Sequence, residues 1–174
     1  MIYSDDNENG QHFVLLSLGS NLNDRRANIT SAVNKLRDYS IIKNLKCSSY
    51  FESEPVGYLN QPWYLNISIT GITDLEPVKL LTKIKAIEVE NQRIARERWH
   101  EREIDIDIIL YDSLEFSNEI LTIPHPEMHK RKFVLLPSFE IAPKAVHPMF
   151  NQNIEELLFA CEDKSEVNKF MESL

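Results

Sequence analysis

The stretch REIDIDIIL, residues 102–110, decides the fold of this chain. Apolar and polar residues alternate along it, which is the two-residue period of a β-strand with two different faces. One face carries Ile104, Ile106, Ile108 and Leu110, and the other carries Glu103, Asp105 and Asp107. Aspartate is depleted in strands because its short side chain competes for local backbone hydrogen bonds. Two aspartates side by side on one face of a core strand therefore need a reason.

The flanking segments predict further strands and helices. Residues 13–20, 41–53 and 63–72 have strand patterns. Two stretches between the strands have apolar residues at helical spacing, namely Ile29, Ala32, Val33 and Leu36 in the first and Leu80, Leu81, Ile84 and Ile87 in the second. After residue 110 we predict a short strand at 115–121 that pairs with 102–110 as a hairpin, a helix within 126–143 and a short helix at 154–160.

The order β-α-β-β-α-β predicts an α+β fold of the ferredoxin-like type. Such a fold is an antiparallel sheet with helices packed on one face. We expect the helices to cover the isoleucine face of the sheet. The opposite face, which bears Asp105, Asp107, Tyr64 and Asn66, is then available for a ligand.

Composition limits the class of protein. The chain has 174 residues, of which 43% are hydrophobic, and this suits one compact domain over residues 1–174, with 1–12 expected to form a flexible tail. The net charge of −8 argues against a general positive field for nucleic acid, so an anionic ligand needs a local cationic patch. No apolar run reaches the ~20 residues of a membrane span, and no signal peptide is recognisable, so we expect a cytoplasmic protein.

The aspartate pair allows two interpretations. Two residues apart on a strand, Asp105 and Asp107 have Cα atoms separated by roughly 6–7 Å, and their charges repel unless water or a cation intervenes. They belong either to a solvated sheet face or to a Mg²⁺ site, since Mg²⁺ takes one or two carboxylates, several waters and phosphate oxygens. The preceding loop favours the metal site, because planar guanidinium groups suit phosphate and this acidic chain places four of them there, on Arg93, Arg96, Arg98 and Arg102.

Other side chains nearby keep more than one interpretation. Trp99 is either a packing anchor or a group that stacks on a flat ring. His125 and His129 have the four-residue spacing of zinc ligands, but no third ligand is evident and Pro126 breaks the pattern, which leaves a phosphate-facing or a surface histidine. The four glycines form no phosphate-binding loop, so a nucleotide would be held by arginine, histidine and metal.

Four segments are specific when they are taken together in their order and spacing. They are LSLGSNL (16–22), EPVGYLNQPWYLN (54–66), RERWHEREIDIDIIL (96–110) and IPHPEMHKRKFVLLPSFEIAP (123–143). Together they closely resemble the 6-hydroxymethyl-7,8-dihydropterin pyrophosphokinase family of the folate pathway, over most of the chain. That family transfers pyrophosphate from ATP to the hydroxymethyl group of the dihydropterin and releases AMP, on a ferredoxin-like fold. The resemblance implies a Mg-dependent diphosphotransferase with ATP as co-substrate.

The resemblance also implies roles for single residues. Asp105 and Asp107 match the ligands of two Mg²⁺ ions that bridge the ATP phosphates. Arg102 and His125 are expected to help neutralise the charge that develops there, and these four form the implied catalytic set. The implied ATP contacts are Lys85, Glu88, Arg96, Trp99, Arg102, Ile108, His125 and Arg131. The implied dihydropterin contacts are Ser53, Pro55, Val56, Tyr64, Asn66, Trp99 and Phe133.

The chain departs from the family pattern mainly in its loops. His100 and Glu101 stand where many members have Gly-Pro, and Pro126 stands where a tyrosine often follows the histidine. Many members also have Thr-Pro where this chain has Ser-Glu at 53–54. The arginine-rich loop is shorter by about one residue, so the family's other arginine position falls to either Arg93 or Arg96. These departures concern loop closure more than chemistry.

A protein of another class is the alternative. A ferredoxin-like binding module for a small anionic ligand would keep the fold and the arginine cluster without turnover. The aspartate pair and the pterin-like site argue against it. For the enzyme we expect a monomer, with a weak dimer as the alternative, whose partners are ATP and a dihydropterin, and neither nucleic acid nor membrane.

Overall fold

The computed structural model describes residues 10–55, 57, 60–94 and 100–171. Its main sheet contains β1 (His12–Ser20), β2 (Lys43–Cys47), β3 (Phe51–Ser53), β4 (Tyr64–Thr73), β5 (Asp105–Tyr111) and β10 (Val167–Lys169). Two small hairpins are formed by β6 (Phe116–Ser117) with β7 (Thr122–Ile123) and by β8 (Val146–His147) with β9 (Gln152–Asn153). The helices are α1 (Arg25–Asp38), α2 (Pro77–Glu90), α3 (Lys132–Ile141), α4 (Ile154–Ala160) and a 3₁₀ turn at Met128–Lys130.

The strand order of the main sheet is β10-β3-β4-β1-β5, with β2 also paired to β4, and all pairings are antiparallel. This is the ferredoxin-like order, in which β2 and β3 together form the second strand, so the predicted fold class is confirmed. The strand predicted over residues 41–53 is interrupted between β2 and β3. The predicted hairpin of 115–121 with 102–110 is wrong, because β6 pairs with β7 instead.

The two predicted helices pack on one face of the sheet. From α1, Ile29, Ala32, Val33 and Leu36 are buried, and from α2, Leu80, Ile84 and Ile87 are buried. They meet the inward residues of β1 and β5, which include Leu16, Leu18, Ile106 and Ile108. Each fully buried aliphatic side chain contributes about 1.5–3 kcal/mol, so this cluster is the main core.

A second apolar cluster lies on the opposite face, at one end of the sheet. Here α3 and α4 cover Phe13 and Leu15 of β1, with Val134 and Leu135 among the contacts from α3. The sequence periodicity did not indicate this second layer. It closes half of the face that was expected to be free, and leaves the other half open.

A β-bulge explains one error in the predicted faces. Leu16 pairs with Ile108, but Leu15 pairs with Leu110, so Ile109 is an extra residue in β5. A bulge disturbs the alternation of side chains beyond it. Leu110, predicted to lie with Ile108 on the helix-covered face, therefore belongs to the second cluster, together with Ile109.

The ends of the chain add two details. His12 already pairs with Thr73 in β1, so the tail predicted over residues 1–12 overlaps the sheet by one residue. Near the other end, β10 was not predicted, and it lies beside β3 as an edge strand. Within the described ranges, none of the helices has the length and the apolar character that crossing a bilayer requires.

Candidate active site

A cavity of about 250 Å³ occupies the open half of the second face. Strands β1, β4 and β5 form its floor, and the segment from His125 to the start of α3 forms one wall. Nine of the predicted site residues line it: Ser53, Tyr64, Asn66, Arg102, Asp105, Asp107, His125, Arg131 and Phe133. The structure therefore brings these nine residues together from five separate parts of the chain.

A single row across three strands organises the floor. Gly19 of β1 pairs with Asn66 of β4 on one side and with Asp105 of β5 on the other. Neighbouring strands lie ~4.8 Å apart, so the amide and the carboxylate are held roughly 10 Å apart by backbone pairing. A Cβ at Gly19 would lie 3.1 Å from Asn66 Oδ1. The absent side chain therefore keeps the middle of the floor clear.

The aspartate pair carries unbalanced negative charge. Burial, followed by the nearby charge of Asp105, raises the pKa of Asp107 to about 6. Asp105 is better compensated, because Arg102 pairs with its Oδ2 and Arg93 lies 3.0 Å from its Oδ1. Two carboxylates this close favour a cation between them.

Glu88 and Lys85 lie behind the aspartate pair rather than on the cavity surface. The Glu88 side chain is 3% exposed, and its Oε1 accepts hydrogen bonds from the Ile106 backbone N–H at 2.8 Å and from Lys85 Nζ at 2.9 Å. Arg93 binds the other oxygen. Burial raises the pKa of Glu88, and the charges of Lys85 and Arg93 oppose that shift. Because Ile106 separates the two aspartates, Glu88 fixes the strand that carries both.

Arg102 is positioned by a buried asparagine that was not among the predicted site residues. The Asn21 Oδ1 accepts a hydrogen bond from the Arg102 backbone N–H at 2.8 Å, and the Asn21 N–H donates to the Arg102 carbonyl at 3.1 Å. Its amide nitrogen also donates to the Pro62 carbonyl at 3.1 Å. Asn21 thus joins the start of β5 to the loop that precedes β4.

His125 lies in the cavity as an imidazole whose pKa is lowered in the absence of a bound anion. Burial, followed by the positive charge of Arg131, lowers the pKa of His125 to about 4. Its Nδ1 accepts a hydrogen bond from the Glu127 N–H at 3.1 Å, so the ring proton is on Nε2. The histidine can therefore donate a hydrogen bond. His129 lies elsewhere, with its ring packed against Phe150.

The other end of the cavity suits a flat heterocycle. Tyr64 and Phe133 both line it, and the Arg131 guanidinium lies 5.8 Å from the centre of the Phe133 ring. The amide nitrogen of Asn66 donates to Ser53 Oγ at 2.9 Å, which leaves Oδ1 as an acceptor beside Gly19. With this orientation, Asn66 offers a fixed acceptor to the edge of a ring.

Some predicted residues lie away from the cavity. Ile108 is 3% exposed and belongs to the main core, so its side chain does not reach a ligand there. Pro55 is buried next to β3 and does not line the cavity. Val56, Arg96 and Trp99 lie outside the described residues, whereas Arg93, the alternative to Arg96, lies beside the aspartate pair.

Sequence reasoning missed four residues that line the cavity: Ser17, Gly19, Glu54 and His100. A signal for two of them was present. In FVLLSLGS, Ser17 and Gly19 interrupt an apolar strand at alternate positions, which places both on the face opposite Leu16 and Leu18.

Comparisons with known proteins agree with this site. Residues 15–143 match the family model described as 7,8-dihydro-6-hydroxymethylpterin-pyrophosphokinase (HPPK). The chain is 41% identical over 143 residues to 2-amino-4-hydroxy-6-hydroxymethyldihydropteridine pyrophosphokinase of Aquifex aeolicus, covering 82% of this chain and 88% of that protein. It is 35% identical over 159 residues to the Bacillus subtilis protein of the same name, covering 91% of this chain and 95% of that protein.

A solved structure supports the fold independently. The chain superposes on Plasmodium falciparum HPPK-DHPS with pterin and p-hydroxybenzoate with a TM-score of 0.66, at 18% identity, covering 89% of this chain and 42% of that one. The chain thus spans less than half the length of that protein. The family match, the identities and the residues gathered in the cavity agree, and the chain belongs to the 7,8-dihydro-6-hydroxymethylpterin-pyrophosphokinase family.

Proposed function

We propose that the cavity transfers pyrophosphate from ATP to the hydroxymethyl group of 6-hydroxymethyl-7,8-dihydropterin, giving AMP and the pterin diphosphate. The observation that carries this proposal is the row of Asn66, Gly19 and Asp105. It joins a site for a flat ring to a site for phosphates on one rigid floor. Two substrates bound at its two ends meet over Gly19, where no side chain intervenes.

The dihydropterin lies between Tyr64 and Phe133, because aromatic faces stack on a flat ring. Asn66 Oδ1 accepts a hydrogen bond from the ring edge, and its orientation is fixed in advance by the bond to Ser53. Such fixed polar groups give specificity, since a ring without the matching donor leaves a buried acceptor unpaired.

The ATP phosphates lie at the other end, where Arg102 supplies charge and His125 supplies a donor through Nε2. Arg131 adds its positive charge from its position beside Phe133. The residues present fit magnesium, because Asp105 and Asp107 offer oxygen ligands and the charge of Asp107 is unfavourable without a cation, as its raised pKa indicates. In the part of the chain that the structure describes, no cluster of three or more His, Cys, Asp or Glu side chains forms a closed metal site. Two carboxylates, with phosphate oxygens and water completing the shell, are what Mg²⁺ accepts. When bound, two Mg²⁺ ions would neutralise charge on the polyphosphate.

The chain's own residues contribute mainly position and charge. The hydroxymethyl oxygen attacks the β-phosphorus, the bond from that phosphorus to the oxygen shared with the α-phosphorus breaks, AMP leaves, and the hydroxyl proton is released to water. Phosphoryl transfer needs little covalent help, so holding both substrates in line supplies much of the rate. Arg102 is held by Asn21 for this purpose at the start of β5.

Phosphorus NMR of a reaction with ATP and 6-hydroxymethyl-7,8-dihydropterin tests the proposal. Equimolar AMP and pterin diphosphate are expected. ADP with a pterin monophosphate would refute pyrophosphate transfer and leave an ordinary kinase. Absence of any pterin-dependent loss of ATP would favour the binding module, and omission of Mg²⁺ is the matched control for the metal.

A further inference from the structure

The segment that follows α4 crosses from one wall of the cavity to the other. Residues 163–170 contact the start of α3 at one end and run beside β3 as β10 at the other. The family match ends at residue 143, so this segment lies outside it. We name residues 163–170 the C-terminal strap.

The first attachment of the strap is Asp163. Its Oδ2 accepts a hydrogen bond from the Lys132 backbone N–H at 2.9 Å, and its Oδ1 accepts one from the Ser165 N–H at 2.9 Å. Lys132 is the first residue of α3, whose own N-cap residue, Arg131, provides no side-chain cap. Asp163 therefore supplies the missing cap from a distant part of the chain. Lys132 stands between Arg131 and Phe133, which both line the cavity.

The charge of Asp163 strengthens this attachment. Burial raises the pKa of the carboxyl, but the hydrogen bonds from Lys132 and Ser165, together with the positive charge of Lys132, outweigh it, so the net shift of the pKa is downward. The group is thus ionised at neutral pH. Hydrogen bonds to a charged acceptor are shorter and stronger than neutral ones, and a negative charge is favoured at the start of a helix.

The second attachment is to the opposite wall. Val167 pairs with Ser53, and the Glu54 N–H donates to the Glu166 carbonyl at 3.2 Å. Glu54 in turn accepts from the Glu166 N–H through Oε2 at 3.0 Å. Ser53 is the residue that orients Asn66. The strap therefore connects the wall that carries Phe133 with the wall that fixes the polar contact to the ring.

We propose that the C-terminal strap sets the separation of the two walls that hold the dihydropterin, and that Asp163 is a positioning residue for that substrate. The inference rests on the proposed function of the cavity. Without the bonds of Asp163, the start of α3 loses its hydrogen bonds to the strap, whereas the later part of the helix stays connected to β10 through Glu140 Oε1 and Lys169 Nζ at 3.6 Å. The aromatic wall near Phe133 is then held less tightly relative to Asn66. The aspartate pair is fixed separately by Glu88 and β5, so the phosphate end keeps its geometry.

Substitution Asp163→Ala is expected to raise the dissociation constant and the KM for dihydropterin about ten-fold, with kcat at saturation changed less than about two-fold. The effect should be the same at about pH 6 and about pH 8, because the carboxylate is ionised at both. Asp163→Asn keeps one acceptor oxygen and should show an intermediate loss. The matched control is Asn153→Ala, which removes the cap of α4, where Asn153 Oδ1 accepts from the Glu156 N–H at 3.0 Å, away from the cavity.

Unchanged dihydropterin affinity in Asp163→Ala, with a thermal stability lowered as in Asn153→Ala, would overturn the proposal and leave a structural cap. If Asp163→Ala does not fold, the dihydropterin affinity and thermal stability of Asp163→Asn are compared with those of Asn153→Ala instead. Hydrogen exchange of backbone amides tests the attachment of the strap without any ligand. Exchange of the Lys132 N–H should accelerate in Asp163→Ala and not in Asn153→Ala. If the parent protein binds no dihydropterin, the proposed function fails, and the exchange measurement alone decides whether the strap connects the walls.

Discussion

One face of the main sheet is closed at one end and open at the other. At the closed end, Phe13 and Leu15 of β1 lie beneath α3 and α4. At the open end, the next two residues of the same strand on the same face are Ser17 and Gly19, and they line the cavity. The pairing with β4 does not change along the strand, whereas the pairing with β5 shifts register between Leu15 and Leu16. The contrast therefore arises from the side chains together with that bulge.

The difference shows how the choice of side chains keeps part of a sheet face uncovered by helices and therefore accessible to a ligand. Large apolar side chains gain free energy when a helix covers them. Small residues gain little, and a carboxylate loses its hydration. The boundary between the two ends is marked by Ser68 of β4 and Ser138 of α3, whose hydroxyl groups are 2.9 Å apart and buried. Beyond this pair, α3 has nothing apolar to cover.

The largest expected effect comes from the open end. Asp105→Ala and Asp107→Ala should each reduce turnover by about 10²–10³-fold or more, because each removes a charge that serves the phosphates. The fold should survive, since neither side chain contributes to an apolar cluster. Initial rates and thermal unfolding check both statements. Asp74→Ala is the control, an exposed aspartate paired with Lys43 far from the cavity, and activity retained in an Asp105 variant would contradict the metal role.

The closed end should respond in the opposite way. Leu135→Ala removes a fully buried side chain of α3 and should lower the free energy of unfolding by about 2–5 kcal/mol. The kcat of the folded fraction should change little. Urea unfolding and rates measured below the transition separate the two quantities. Phe159→Ala, at a 95% exposed position of α4, is the control with little effect on stability. A large loss of kcat in Leu135→Ala would mean that the two ends are coupled.

A smaller effect on activity is expected from substitution of Glu88, which binds the backbone of β5 between the two aspartates. Glu88→Ala removes the acceptor of the Ile106 N–H, so the strand between the aspartates is less fixed. The Mg²⁺ concentration for half-maximal activity should rise about 10–100-fold. Glu88→Gln keeps a neutral acceptor and should stay closer to the parent. Equal losses in both variants would indicate that charge, not the backbone hydrogen bond, is what Glu88 provides.

The smallest effect concerns pH and stability without Mg²⁺. The pKa of Asp107 is about 6 in the folded protein, against a usual value of 3.8. The folded state therefore binds more protons than the unfolded chain between these values, and stability falls as pH rises through that window. Asp107→Asn avoids this cost, so its Tm should exceed that of the parent by a few degrees near neutral pH. The difference should vanish at about pH 4 or when Mg²⁺ is added, and a Tm below the parent at neutral pH would contradict the shift.

Much of the fold and site follows from sequence because periodicity reports which side chains share a face. The alternation in residues 102–110 places Asp105 and Asp107 together, and the same reasoning places Tyr64 and Asn66 on that face. Periodicity does not report what covers a face. The second layer formed by α3 and α4 could therefore not be predicted.

Other features depend on contacts that no local pattern contains. The bulge at Ile109 exists because β1 and β5 pair in two registers. The lowered pKa of His125 results first from burial, which the sequence around it does not report, and then from the charge of nearby Arg131. The contact of Asp163 with Lys132 likewise joins residues that only the folded chain brings together.

In the row of Asn66, Gly19 and Asp105, the distance between the two outer residues is twice the separation between neighbouring strands. The backbone hydrogen bonds between the strands set that separation. Substitutions among the surrounding side chains therefore change which groups Asn66 and Asp105 can bind, but not the distance between these two residues. A shift in the register of β1 would alter which residues face each other across the row, and it would also misplace the apolar side chains of Leu16 and Leu18. Under the proposed function, the core that stabilises the protein therefore also sets the distance between the ring site and the phosphate site.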